Sequence, residues 1–239
     1  MARIAPDAND VLVIMLDDPL GTTTHVNTGT AGSAGNFIDY GNPISGAAGL
    51  LGSAMYIPSA YLVNARNGAG GANDLAVTPH VSLSGWIFIR RSVNYAAVLF
   101  NKQYFLNGWS SPWLTFGFQM HSSGDQCDLY LTVGGVLQAT LRTPTAYPMP
   151  IGRWIHIGGT YNGSVMNFYV NGSLAATGNY TGTIDYGSSP RGQWYVGGVP
   201  GTSVNQDPPI IVQDIRVADV ARPQSYFQEI AFNGLYVNG

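Results

Sequence analysis

Residues 154–172, with the sequence WIHIGGTYNGSVMNFYVNG, constrain the fold more than any other part of the chain. An apolar, aromatic and β-branched run ends at Tyr161 and is followed by Asn162-Gly163, a second such run and Asn171-Gly172. Asn-Gly favours the type I′ turn of a tight β-hairpin, because both central residues of that turn need positive φ. The segment therefore predicts strands at 153–161 and 165–170 that pair as an antiparallel hairpin.

Side chains alternate along the second of these strands. Met166, Phe168 and Val170 point to one face, and the residues between them point to the other. This pattern is typical of a sheet with one buried face. On the first strand, we predict that Trp154 packs against the core and that His156, on the same face, packs or forms hydrogen bonds.

Turn signals separate many further short apolar runs, which predicts an all-β sandwich in one domain spanning residues 1–239. One helix is predicted at about 223–231, because Pro223 suits a first helical turn and Phe227, Ile230 and Ala231 share a face. Besides the hairpin and a first strand within residues 1–20, strands are predicted at 55–57, 61–63, 75–78, 81–90, 95–101, 113–120, 128–133, 136–142, 173–177, 193–197 and 210–217.

Two glycine-rich segments interrupt this pattern. Residues 21–49 are rich in Gly, Thr, Ser and Ala, and they are predicted to form either a loop with short strands or an extended arm. Residues 64–74, NARNGAGGAND, are predicted to form a long loop. Long segments without regular structure are usually functional or disordered, so we expect both to serve assembly with neighbouring subunits.

The composition argues against some classes of binding partner. Only 10% of residues are charged, against about 25% in an average domain. The net charge is −3, and no basic cluster is present, so nucleic-acid binding is not expected. The apolar run at 11–16 is too short to span a bilayer, so membrane insertion is not expected either. Cys127 is the only cysteine, which excludes an intrachain disulfide and favours a buried, unreactive thiol.

The segment around Asn162 also carries a family resemblance. Trp-x-His followed by Tyr-Asn-Gly and a strand ending in Tyr-Val-Asn-Gly resembles laminin-G-like domains of the concanavalin A-like jelly-roll superfamily. Residues 7–18, 81–90 and 210–230 resemble other strands of that family in order and spacing. The resemblance implies an all-β, two-sheet antiparallel jelly-roll sandwich with one short C-terminal helix. It leaves function open, because this fold serves lectins, adhesion modules and enzymes.

Enzymatic chemistry is not expected. Glucanases of this fold supply paired glutamates, whereas this chain has only Glu229, in the predicted helix. Lyases of this fold use a Gln-x-His pair, and Gln119 and His121 share a strand face. Their companion motifs are missing here, so a polar pair at a strand end is the favoured interpretation.

Calcium binding is implied by the resemblance more than by the residues. Laminin-G-like domains often hold one Ca²⁺ at a loop rim, and hard oxygen ligands suit that ion. The candidate ligands are Asp125, Asp128, Asp185 and Asp207, all in or beside predicted loops. Isolated loop aspartates more often form Asx turns, so this alternative stays open. Asp214 matches an aspartate of the family's closing strand and is expected to be structural.

Carbohydrate recognition needs an aromatic surface beside hydrogen-bonding groups. The loop YFLNGWSSPW has that chemistry, and its candidate binding residues are Tyr104, Asn107, Trp109 and Trp113. The alternative is a long loop folded back on its own aromatic side chains.

Together these features favour a non-enzymatic structural or adhesion module of a virus particle. The predicted location is the capsid or tail of a bacteriophage, where the chain would be oligomeric or lattice-bound, contact other virion proteins and be able to bind cell-surface glycans. No export signal is recognisable at the N-terminus, which favours the virion over free secretion. The alternatives are a free extracellular lectin-like domain and a polysaccharide lyase.

Overall fold

The computed structural model describes residues 4–58, 61–64, 77, 79–92, 97–104, 112, 114–145, 148–187, 193–198 and 209–235. These residues form two antiparallel sheets that pack face to face, with one helix against the outside of the first sheet. The first sheet contains β1 (Asp10–Ile14), β4 (Ile44–Gly49), β5 (Gly52–Ile57), β7 (Val81–Ile89), β12 (Trp154–Tyr161), β13 (Val165–Val170), β14 (Ser173–Asn179) and β16 (Ile210–Ala218). The second contains β2 (Thr24–His25), β3 (Phe37–Tyr40), β6 (Tyr61–Asn64), β8 (Ala97–Gln103), β9 (Leu114–Met120), β10 (Cys127–Val133), β11 (Val136–Arg142) and β15 (Trp194–Val196), and the helix α1 is Gln224–Leu235.

Strands far apart in the sequence lie side by side in both sheets. The first sheet runs β14-β13-β12-β7-β16-β5-β4, and β1 pairs with β16 off this path. The second runs β11-β10-β9-β8-β15-β6-β3-β2. The predicted two-sheet sandwich with a C-terminal helix is confirmed. Most of the predicted strand 75–78 and all of the predicted loop beyond Asn64 up to 74 lie outside the described residues.

The central hairpin is confirmed, but its two ends close differently. Tyr161 pairs with Met166 across β12 and β13. The Asn171-Gly172 turn has φ of 47° and 75°, as a type I′ turn requires. At Asn162-Gly163 only the glycine has positive φ, so a type I′ turn there was a wrong prediction. Instead, Asn162 Oδ1 accepts hydrogen bonds from the backbone of Ser164 (3.0 Å) and Val165 (2.7 Å), which makes an Asx-type turn.

Two adjacent glycines let β12 contact layers on both of its sides. A Cβ at Gly159 would lie 2.9 Å from Leu129 of the second sheet. A Cβ at Gly158 would lie 2.5 Å from the ring of Phe227 in α1. The paired glycines therefore allow the facing sheet and the helix to approach the same strand closely.

Trp154 packs against a second, smaller core cluster and not, as predicted, against the core between the sheets. Ile155 and Ile157 of β12 are in the core between the sheets, so Trp154 and His156 face outward. Trp154 is partly buried in a smaller cluster with Trp86 and Ile230, beneath α1. Helix α1 covers the outward face of β12, so this strand is buried on both sides. The pattern of apolar and polar residues along β12 therefore does not reveal which face is in the core between the sheets.

Residues 21–49 do not form an extended arm, and the short-strand alternative describes them. Strands β2 and β3 complete one edge of the second sheet, and β4 forms the corresponding edge of the first. Backbone pairing such as Thr24 with Ile38 incorporates the segment into the sandwich.

Candidate functional site

The outer face of the second sheet carries a line of side chains from four neighbouring strands, here called the polar row. Tyr195 pairs with Asn101, Asn101 with Gly117, and Gly117 with Tyr130. Their chain neighbours, such as Phe116 and Phe118, belong to the core between the sheets. Because side chains alternate along a strand, the row faces away from the core.

Gly117 makes room for Asn101, its neighbour in the row. A Cβ at this position would lie 2.2 Å from the Asn101 Cβ, far inside van der Waals contact. Any larger residue would therefore displace Asn101. A glycine within a strand often marks a place where another group approaches the backbone closely.

Asn101 is the most unusual member of the polar row. Its side chain is 0% exposed, and neither Nδ2 nor Oδ1 has a hydrogen-bond partner in the described part of the chain. A buried polar group without a partner costs about 1–3 kcal/mol, so such groups need a reason to persist. An amide that can both donate and accept is a suitable group for binding a polar ligand.

Asp128 and Arg142 form a charged pair beside the row. Asp128 lies two residues before Tyr130 on β10, so both side chains are on the same face of the sheet. Gln119 pairs with Asp128, and Asp128 pairs with Arg142. Arg142 Nε donates to Asp128 Oδ1 over 2.6 Å, and Tyr130 Oη donates to Asp128 Oδ2 over 3.2 Å. Asp128 is 1% exposed, whereas the Arg142 side chain is 42% exposed. The buried carboxylate thus orients a tyrosine hydroxyl and an accessible guanidinium.

These contacts shift the ionisation of both partners of Asp128. Burial, followed by the neighbouring Asp128 carboxylate, raises the pKa of Tyr130. The hydrogen bond to Asp128 raises the pKa of Arg142. Tyr130 is therefore a neutral hydroxyl at any ordinary pH, and Arg142 remains a cation.

Of the four predicted binding residues, the structure describes Tyr104. Tyr104, directly after β8, is 6% exposed. Burial and then the neighbouring Asp185 carboxylate raise its pKa. Asn107, Trp109 and Trp113 lie outside the described residues.

Of the predicted calcium ligands, the structure describes Asp125, Asp128 and Asp185, and these three do not gather as one metal site. Asp128 is engaged by Arg142, and the exposed Asp125 accepts a hydrogen bond from the Ser123 hydroxyl. Asp207 lies outside the described residues, and Asp185 accepts a hydrogen bond from the Gly187 backbone. Within the ranges that the structure describes, no three His, Cys, Asp or Glu side chains gather as a metal site.

The other candidate residues have structural surroundings. His121 lies in the turn after β9, where its Nδ1 accepts from the Ser123 backbone over 3.2 Å. His156 packs against Trp86 with ring centroids 5.2 Å apart. Burial, and then the nearby Arg216 cation, lower the pKa of His156 to about 3. Burial raises the pKa of the Cys127 thiol well above its ordinary value, as expected for an unreactive cysteine.

Sequence reasoning missed the polar row. The available signal was alternation: in CDLYLTV of β10, Asp128 and Tyr130 alternate with the core residues Leu129 and Leu131. Which strands lie beside β10 is not visible from such a pattern, so the pairing of Asn101 with Tyr195 could not be predicted.

This fold and its strand order define a class of antiparallel sandwich domains. The family model described as concanavalin A-like lectin/glucanases superfamily (laminin G type 3) matches residues 67–225. The chain therefore belongs to the concanavalin A-like lectin/glucanase superfamily, as its sequence motifs indicate. None of the curated protein sequences compared with this chain matches it.

Solved structures with the same fold share little sequence with this chain. Domain 4 of AbnA, an extracellular arabinanase of Geobacillus stearothermophilus solved in complex with arabinotriose, is 14% identical with a TM-score of 0.65, over 94% of this chain and 99% of that one. The binding domain of Paraclostridial Mosquitocidal Protein 1 is 13% identical with a TM-score of 0.68, over 96% and 53%. Trypanosoma rangeli sialidase in complex with sialic acid is 12% identical with a TM-score of 0.66, over 96% and 34%. The chain thus spans about half of the toxin domain and a third of the sialidase.

Helix α1 does not resemble a membrane span. Among the described residues, no helix has the length and apolar character needed to cross a bilayer.

Proposed function

We propose that this chain is a non-enzymatic carbohydrate-binding module and that the polar row binds a sugar. The observation that carries the proposal is the unpaired, buried amide of Asn101, which lies in the polar row between Tyr195 and Gly117, with Tyr130 beyond the glycine. Sugar rings present apolar C–H faces and several hydroxyls, so aromatic side chains next to amide donors and acceptors suit them.

The neighbouring charged pair adds hydrogen-bonding groups at the side of the row. Gln119 and the exposed part of Arg142 can bind hydroxyl or carboxylate oxygens of a sugar. Asp128 holds Arg142 and Tyr130 in place, so the site is largely preformed. A preformed site loses less conformational entropy on binding.

Two of the compared structures support the class of ligand. The arabinanase domain was solved with arabinotriose, and the sialidase with sialic acid. The proposed absence of catalysis rests on the carboxylates: Asp128 is paired with Arg142, and Glu229 lies in α1, on the outside of the other sheet. Glycoside hydrolysis needs two carboxyl groups across one bond.

Binding is tested by isothermal titration calorimetry with arabinotriose and a panel of neutral and sialylated oligosaccharides. We expect Asn101→Ala to reduce the affinity of any bound sugar at least tenfold. Because the amide has no partner, the same change should not lower the free energy of unfolding by more than about 1 kcal/mol. A purely structural Asn101 would show the opposite result.

Tyr130→Ala and Tyr40→Ala are a matched pair for the same titration. Tyr40 is an exposed tyrosine of the second sheet, on β3 and away from the polar row. Only Tyr130→Ala should weaken binding. Equal affinities of the wild type, Asn101→Ala and Tyr130→Ala would refute the proposal, and release of reducing ends or unsaturated uronates from the panel would refute the absence of catalysis.

We also propose that the module acts outside the cell, on the surface of a virus particle, with a free extracellular lectin-like domain as the alternative. The low fraction of charged residues, 10%, supports a subunit that is largely in contact with neighbours. A mass-spectrometric census of purified particles from the source tests this location. Absence of the chain from those particles would favour the free lectin-like domain.

A further inference from the structure

A concave site lies where the edges of the two sheets meet. It is a groove of about 510 Å³ between the segment that precedes β2 and the connection from β3 to β4. Its lining residues are Leu20, Gly21, Thr22, Thr23, Asp39, Gly41, Asn42, Pro43, Ile44 and Ser45. Its volume is within the range of small-molecule sites, and it is separate from the polar row.

The groove combines apolar walls with hydrogen-bonding groups. Leu20 is 79% exposed and Ile44 is 43% exposed, which is unusual for large aliphatic side chains. Thr22, Asn42 and Ser45 contribute hydroxyl and amide groups. The Ser45 hydroxyl accepts a hydrogen bond from the Thr22 backbone over 3.1 Å and still has its own proton to donate.

Asp39 is the charged residue of the groove, and its carboxylate is positioned by a contact with the buried His25. His25 Nε2 lies 2.8 Å from Asp39 Oδ1, and His25 Nδ1 lies 2.7 Å from Asp18 Oδ2. The His25 side chain is 0% exposed, whereas that of Asp39 is 14% exposed. Within the described residues, no hydrogen-bond partner is found for the second oxygen, Asp39 Oδ2. The buried imidazole therefore fixes a carboxylate that has one oxygen left for a ligand.

We propose that this groove binds a single neutral sugar residue, with Asp39 Oδ2 accepting a ligand hydroxyl. Asn42 and the hydroxyls of Thr22 and Ser45 would bind neighbouring hydroxyls, and Leu20, Pro43 and Ile44 would contact the C–H face of the ring. Asp18 and His25 are positioning residues that do not touch the ligand. The inference rests on the proposed function for its class of ligand, but it concerns a different surface.

The groove and the polar row would bind sugar independently. Asp39 shares the inward face of β3 with the core residue Phe37, and it lies three strands from β8, which carries Asn101. Two sites on one module would allow bivalent attachment to a glycan surface, which raises avidity without further contacts. A cationic ligand could also bind the Asp39 carboxylate, but it would leave the hydroxyl and amide groups of the wall without a role.

The test is mapping of backbone amide shifts by NMR in ¹⁵N-labelled full-length chain, titrated with arabinotriose and with neutral methyl glycosides. We expect saturable shifts at Gly21, Gly41 and Asn42, and these should persist at high salt. Asp39→Asn should weaken binding at these three amides at least tenfold, because the amide places a donor where an acceptor is needed. His25→Gln should weaken it less, since it only loosens Asp39.

Asp219→Asn is the matched control, because Asp219 is an exposed aspartate outside the groove. The polar row is followed in the same spectra through Gly117. Shifts at Gly117 without shifts at Gly21, Gly41 and Asn42 would overturn the groove proposal alone, and the reverse pattern would overturn the polar row alone. Shifts at the groove that Asp39→Asn leaves unchanged, or that high salt abolishes, would also overturn the groove proposal.

Discussion

His156 is a titratable residue in an apolar environment, packed between Trp86 and Phe227 beneath α1. Both ring nitrogens are buried, and neither has a hydrogen-bond partner among the described residues. Burial lowers its pKa from 6.5 to about 3 in the folded state. Between these values the unfolded chain binds a proton that the folded chain does not, so stability falls as the pH drops.

We therefore predict acid destabilisation between about pH 6.5 and pH 3 that depends on His156. The slope has an upper limit of about 1.4 kcal/mol per pH unit. In His156→Leu, urea unfolding measured from pH 7 to pH 4 should show a flatter dependence. His121→Gln, a histidine in a turn, should keep the wild-type slope. Parallel profiles for the wild type and His156→Leu would contradict the prediction.

At the scale of elements, α1 contacts the sheet at positions where glycine leaves room for the helix. A Cβ at Gly172, in the β13–β14 turn, would lie 2.6 Å from the Cα of Gln228 in the helix. Gly158 leaves similar room for Phe227, which stacks on Tyr169 with ring centroids 4.6 Å apart. The hairpin and the helix therefore fit together because side chains are missing at their contacts.

Gly172→Ala and Gly163→Ala separate turn strain from helix packing. Both glycines have positive φ, 75° and 91°, so an alanine costs about 1–2 kcal/mol at either site. A Cβ at Gly163 meets nothing within 4 Å, whereas at Gly172 it collides with α1. We expect Gly172→Ala to cost about 1–3 kcal/mol more than Gly163→Ala in urea unfolding. Equal losses would mean that α1 moves away without cost.

At the scale of the whole molecule, ion pairs join the two ends of the described chain. Arg222, just before α1, donates to Asp7 Oδ1 over 2.7 Å and to Asp10 Oδ1 over 2.8 Å. The hydrogen bond from Arg222 lowers the pKa of Asp7 to about 2. Nearby, Arg216 donates to Asp214 over 2.7 Å and to the Ile4 carbonyl over 2.7 Å.

We predict that Arg222→Gln destabilises the fold by about 3–5 kcal/mol, because it leaves the carboxylate of Asp10, which is 1% exposed, without its cation. Arg153→Gln, at an exposed arginine, should change the free energy of unfolding by less than about 0.5 kcal/mol. Urea unfolding at pH 7 measures both variants. A small effect of Arg222→Gln would show that water or another cation replaces the guanidinium.

Properties that depend on near neighbours in the chain follow from the amino-acid sequence alone. Alternation and Asn-Gly signals placed the hairpin of β12 and β13, most of the other strands and the helix, because strand and turn preferences are local. The presence of a single glutamate, Glu229, excludes a paired-glutamate site in whatever way the chain folds. Of the predicted binding residues in the loop after β8, the structure describes Tyr104, so Asn107, Trp109 and Trp113 stay predictions.

Tertiary packing decided which face of each strand lies in the core and which strands are neighbours. Trp154 lies outside the core between the sheets because α1 covers the face that alternation would leave to solvent. The polar row joins Asn101, Gly117, Tyr130 and Tyr195, which lie on four strands and become neighbours through register alone. Register between distant strands is set by packing of the whole sandwich, and no local preference encodes it.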